Sequence, residues 1–165
     1  MNPIYIVDGY NLIHTVDQLS KHLEENLEKA RLNLESLIRN YLSLKAVKIY
    51  LVYDGAKIGY VQSQPSTNLK IIFSKPPEKA DPIIKKLIQQ FPNKSRIFVV
   101  TLDRDILEFV KQEGALSLTT EEFYQRMIKR EKSADWNKKY EGNLSQEEVD
   151  EWLDIFENHD PGHFD

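Results

Sequence analysis

Four short apolar runs constrain this chain more than any other feature: Ile4 to Val7, Lys48 to Tyr53, Leu69 to Phe73 and Ile97 to Thr101. They are rich in Ile, Val, Tyr and Phe and mostly lack alternation of apolar and polar residues, so each reads as a strand covered on both faces. Strands of that kind belong to parallel sheets, whose crossover helices lie on either side. Between the first two runs, Leu19, Leu23, Leu27, Ala30, Leu34, Leu37, Ile38, Tyr41 and Leu42 recur in steps of three and four and predict one long amphipathic helix. Two more helices are expected at Asp81 to Gln90 and at Asp103 to Glu113, the second closed by Gly114. A short strand at Ala115 to Leu118 and a helix from Thr120 to about Glu131 complete the pattern. The order predicts an α/β fold with three layers, a mainly parallel central sheet and right-handed crossovers. Gly55 to Asn68, containing Gly55, Gly59 and Pro65, interrupts it as a loop or small hairpin near the sheet's edge.

Composition narrows the function classes. The 165 residues include no cysteine, which removes disulfide scaffolds, thiolate nucleophiles, Fe-S clusters and the usual structural zinc sites. No apolar run is long enough to span a bilayer, and the opening residues lack a signal-type stretch, so a soluble cytoplasmic protein with no membrane partner is expected. The net charge of -4 conceals a division: residues 131 to 165 hold 11 acids and 3 bases, whereas residues 1 to 130 hold 15 acids and 19 bases. Two regions follow, a main domain over 1–130 and an acidic C-terminal extension over 131–165. In the extension, Ser145-Gln146-Glu147-Glu148 has the form of a capping box before the stripe Val149, Trp152, Leu153 and Phe156, predicting a helix at about 145–157. That helix packs on the main domain, binds a partner or covers a basic surface.

The acids fall where chemistry is usually done. Three of the strand runs lead into an aspartate, namely Asp8, Asp54 and Asp103. In an open parallel sheet the carboxyl ends of the strands line one edge, where ligands bind at the switch of strand order. Asp81, followed by Pro82, stands where a helix begins, and Asp105 follows Asp103 by two. Each acid alone has a simpler reading, since Asp81 and Asp103 are good N-caps. Together they would repel one another and raise each other's pKa unless a cation neutralised them, and an all-oxygen ligand set suits Mg2+ or Mn2+. Such a metal screens phosphate charge and activates water, which points to phosphoryl chemistry. Asn11 adds an amide that could orient Asp8, the metal water or a phosphate, and Thr101 could bond a carboxylate or a phosphate. No Gly-x-Gly-x-x-Gly or P-loop follows a strand, so no nucleotide cofactor is expected.

The motif Val7-Asp8-Gly9-Tyr10-Asn11-Leu12-Ile13 makes the reading specific. With Tyr53-Asp54, Ala80-Asp81, Val99-Val100-Thr101-Leu102-Asp103-Arg104 and Gly114-Ala115-Leu116-Ser117-Leu118 running into Glu122-Phe123, the chain resembles an NYN domain of the YacP-like group, within the PIN-like nuclease superfamily. The resemblance covers roughly residues 3 to 130. It implies a PIN-like fold and a metal-dependent endoribonuclease with Asp8, Asp81 and Asp103 as the acidic centre, supported by Asn11 and Asp54. It also implies cleavage by metal-activated water and an RNA engaged by the translation machinery. The chain departs from the pattern at Pro82 and Leu102, where small polar residues are expected.

An RNA substrate needs bases near the acids, because phosphates dominate affinity. Setting aside Asp8, Asp54, Asp81, Asp103 and Asp105 as metal ligands, residues 1 to 130 keep 19 bases against 10 acids. Lys57, Lys75, Lys79, Lys85 and Arg104 flank the motifs and are the expected phosphate contacts. Tyr10 and Tyr60 could stack on unpaired bases of single-stranded RNA or mRNA, although Tyr10 suits packing equally. His14 and His22 are possible acid-base groups in no metal-ligand spacing. The rival function is an RNA- or ribosome-binding module that keeps the fold without cleaving.

Overall fold

The computed structural model describes residues 2–55 and 66–129. The strands are β1 Ile4–Asp8, β2 Lys48–Tyr53, β3 Leu69–Phe73, β4 Ile97–Val100 and β5 Leu116–Leu118. They form one fully parallel sheet in the order β3-β2-β1-β4-β5. Register explains the missing alternation in the sequence. Tyr5, Val7, Ile49, Leu51 and Tyr53 enter one core, and Ile4, Ile6, Tyr50, Val52, Ile97 and Val99 enter the other, so successive side chains are apolar yet face opposite ways.

Helices cover both faces. They are α1 Gly9–Thr15, α2 Asp17–Ser20, α3 Leu27–Leu44, α4 Ala80–Gln90, α5 Arg104–Glu113, and α6 at residues 120–129. The first core takes Leu12 and Ile13 of α1, Ala30, Leu34, Ile38 and Tyr41 of α3, and Phe123, Tyr124 and Met127 of α6. The second takes Ile84, Leu87 and Ile88 of α4 with Ile106 and Val110 of α5. The middle layer is therefore the sheet, as the apolar runs require.

The long helix expected from Leu19 to Leu42 is several pieces. The short α2 comes first, Lys21–Glu24 is a 3-10 turn, and only α3 is long. Asn26 makes the break: its backbone is extended at φ -169° and ψ 159°, and its side chain accepts a hydrogen bond from Lys29 N at 2.6 Å, capping α3. Leu19 is buried and Leu23 packs against the core across the break, so spacing alone does not reveal the interruption. Helix α4 ends before Phe91-Pro92, where the residue preceding a proline is driven to extended backbone. Gly114 closes α5 at φ 76°, in the left-handed region.

Strand order sets the position of the site. The path β1, β2, β3 builds the sheet outward one way, and β4, β5 the other, so order reverses between β1 and β4. The crevice beyond the carboxyl ends of those two strands is the expected ligand position. The chain divides into two units, Met1–Arg130 and Glu131–Asp165. The helix expected at 145–157, most of the 55–68 loop, Lys57 and Tyr60 lie outside the described residues.

Candidate active site

An open pocket of about 440 Å³ lies at this edge, lined by Asp8, Tyr10, Asn11, His14, Asp54, Lys79, Ala80, Asp81, Asp103 and Ile106. Four carboxylates thus meet from four segments: the end of β1, the turn after β2, the first turn of α4, and the N-cap of α5. Asp105 is exposed and absent from this lining; its backbone N–H instead donates to Asp103 Oδ1 at 2.9 Å.

The β1 and β4 side is tied together by hydrogen bonds. Asn11 Oδ1 accepts from Leu102 N at 2.8 Å, which fixes α1 to the turn after β4. The buried Thr101 hydroxyl lies 3.4 Å from Asp8 Oδ2 and 3.5 Å from Asn11 Oδ1, one proton facing two acceptors, and accepts from Asp103 N at 3.1 Å. Asp103 Oδ1 accepts from Ile106 N at 3.2 Å as well as from Asp105 N, so Asp103 does cap α5 while its carboxylate lines the pocket. Capping and pocket lining are compatible here.

Asp81 has a different standing. Lys79 is the N-cap of α4 and Asp81 lies inside the helix, with no capping hydrogen bond, so Pro82 is third in the helix rather than first. Asp81 Oδ1 is buried without a hydrogen bond, and Lys85 Nζ stands 3.4 Å away as an ion pair. The same ammonium lies 5.4 Å from the centre of the Phe109 ring. Asp54 is exposed, and its Oδ1 accepts from Ser74 Oγ at 3.1 Å. Ser74 is buried and its hydroxyl also accepts from Gly55 N at 2.9 Å. This serine escaped the sequence reading, though β3 ends at the same edge and a hydroxyl just beyond a strand end was the available signal.

Burial pushes the Asp8 carboxyl up to about 6, helped by the charges of Asp103 and Asp54; the nearby Asn11 N–H and the Thr101 hydroxyl lower it only in part. Asp8 makes no capping hydrogen bond to α1. Gly9, next to it, answers a close approach: a Cβ there would lie 2.5 Å from Tyr53 Cε1. Tyr10 is half-buried, its ring 4.9 Å from that of Tyr53 and its hydroxyl accepting from Arg31 at 3.2 Å. Packing therefore claims most of its ring. Lys79 and His14 are exposed and line the pocket, whereas Lys75 and Arg104 are exposed outside it and Lys85 is held by Asp81.

The chemistry of the donors fits a hard divalent cation. The carboxylate donors are all oxygens, the Asp8 carboxyl has its pKa raised chiefly by burial and further by neighbouring negative charge, and one buried carboxylate oxygen lacks a hydrogen bond. Among the described residues no three His, Asp or Glu side chains stand close enough to hold an ion as placed. The carboxylates converge without forming a finished coordination shell. No helix among the described residues is long and apolar enough to cross a membrane.

Comparison with known proteins agrees with this architecture. Residues 5–158 match the model of the YacP-like NYN domain family, a span that reaches into the acidic extension the motif resemblance left aside. YacP of Bacillus subtilis (strain 168) is 30% identical over 126 residues, covering 75% of this chain and 74% of that protein. Two crystal structures of Rae1 (YacP) from Bacillus subtilis share the fold. One aligns with a TM-score of 0.71 at 25% identity over 93% of this chain and 88% of that one. The other, a single-substitution variant, aligns with a TM-score of 0.69 at 28% identity over 83% and 81%.

Proposed function

This chain belongs to the YacP-like NYN domain family, within the PIN-like nuclease superfamily, and from that premise we propose that it is a metal-dependent endoribonuclease. The observation that carries the reading is the meeting of Asp8, Asp54, Asp81 and Asp103 in one pocket at the switch of strand order. Their proposed role is to hold Mg2+ or Mn2+. When bound, such an ion lowers the pKa of water and screens the charge of the phosphodiester.

The protein's own groups do the positioning. Asn11 has its Oδ1 committed to Leu102 N, leaving the amide N–H groups as donors toward a phosphate. Thr101 holds Asp8 and the turn bearing Asp103 in fixed relation. Ser74 orients Asp54 from the far side. The proposed substrate is single-stranded RNA or mRNA, including RNA engaged on the ribosome. The rival, a binding module without cleavage, draws on the fact that no three acids are yet at ligating distance among the described residues.

Labelled single-stranded RNA is incubated with the protein and Mg2+ or Mn2+, beside Asp8→Asn and Asp81→Asn, and again with ribosomes present. The expected result is cleavage by the unsubstituted protein, lost by roughly 100-fold or more in each variant, as for loss of groups essential to a metal site. RNA that is bound but left intact by all three proteins in both settings establishes the rival.

A further inference from the structure

His14 and Lys79 share a placement that no single motif reveals. His14 is on α1, whose Leu12 and Ile13 enter the core on one face of the sheet. Lys79 is the N-cap of α4, whose Ala80 and Ile84 enter the core on the other face. Both line the pocket and both are exposed, so the carboxylates are flanked on opposite sides of the sheet by a nitrogen donor. Among the described residues these are the basic side chains in the lining. Helix α1 is secured at its far end, where the Thr15 and Thr120 hydroxyls hydrogen-bond at 2.7 Å and tie it to α6. Asn11, held by Leu102 N, secures its near end. His14 sits three residues after Asn11, on the same side of that helix.

A polyanion entering this pocket meets repulsion from its four carboxylates, and His14 and Lys79 are the basic side chains of the lining that offset it, one on each flank. We propose that a single RNA strand crosses this edge with one phosphate held by His14 on the α1 flank and another by Lys79 on the α4 flank, the phosphate between them facing Asp8 and Asp103. The inference rests on the nuclease reading above and adds the path of the strand. It assigns His14 a substrate contact in place of the proton-transfer role that its residue type suggests.

The test is binding of a labelled single-stranded oligoribonucleotide, in Mg2+, to the full chain carrying Asp8→Asn so that the strand stays intact. His14→Ala and Lys79→Ala are each expected to weaken binding by about 3- to 10-fold, and Lys79→Ala to lower the slope of log affinity against log salt by about 0.7. His14→Lys is expected to restore affinity and raise that slope. Lys111→Ala, in the last turn of α5 away from the pocket, is the control and is expected to change neither. Affinities and slopes for His14→Ala and Lys79→Ala equal to the control, together with unchanged KM in the protein retaining Asp8, overturn the path while leaving the nuclease reading intact. An unsubstituted protein that neither binds nor cleaves RNA, with or without ribosomes, overturns both.

Discussion

The two halves of the acidic pocket are built in different ways. Around β1 and β4, Asp8, Asn11, Thr101, Leu102 and Asp103 are linked by hydrogen bonds, several of them to backbone N–H groups. On the α4 and β2 side, Asp81 is met by Lys85 and Asp54 by Ser74, through side chains alone. Backbone partners move only with their elements, so the first half is preorganised by the sheet, whereas the second rests on two side chains, half-buried Lys85 and buried Ser74. The contrast also separates two electrostatic situations. Asp8 carries the cost of burial beside like charges, whereas Asp81 has an ammonium beside it.

The largest stability effect expected from that contrast is at Asp8. Its carboxyl titrates at about 6 in the folded protein and at 3.8 in an unfolded chain, so between those values the native state holds the extra proton. Stability contributed by protonated Asp8 is therefore present at low pH and is lost as pH rises through this window, by up to about 3 kcal/mol. Thermal melts in metal-free buffer from pH 4 to 7.5 measure it, and Asp8→Asn is expected to flatten the Asp8 component and to melt higher than the parent at pH 7.5. An Asp8→Asn protein with an unaltered pH profile would show that burial does not load this carboxylate.

Gly9→Ala comes next. The added Cβ meets the buried Tyr53 ring, itself packed against Tyr10 and Phe73, and the expected loss is about 1–3 kcal/mol, read by chemical denaturation. The two acids at helix starts give the smallest and sharpest comparison. Asp103→Ala and Asp103→Asn both remove the charge, but only alanine removes the cap, so alanine is expected to melt below asparagine by about 1 kcal/mol, or 2–4 °C. Asp81→Asn has no cap to lose and is expected to stay within a few degrees of the parent without metal. A collapse of Asp81→Asn in that buffer would make the α4 acid structural.

The strand runs were legible because burial on both faces demands apolar residues at every position, and β2 and β3 begin and end where the apolar runs do. The first crossover was less so. Gly9–Thr15 mixes glycine, aromatic and polar residues over seven positions, too few to show a helical period, and the break at Asn26 leaves the leucine spacing nearly intact. Buried Arg31 and Glu35 of α3 show the same limit, because a composition rule assigns charged residues to the surface.

Sequence by itself determined the strands, the helices beyond the first crossover, the two-sided sheet and the placing of acids at strand ends, since those follow from local spacing and from which residues must leave water. Only the tertiary structure decided that β4 pairs with β1 while β3 is placed outside β2. That order brings Thr101 and Asp103 beside Asp8 and Asn11, leaves Asp105 outside the pocket lining, and puts His14 and Lys79 on opposite flanks. Pairing partners some 90 residues apart are chosen by the packing of whole faces, a property no local stretch carries.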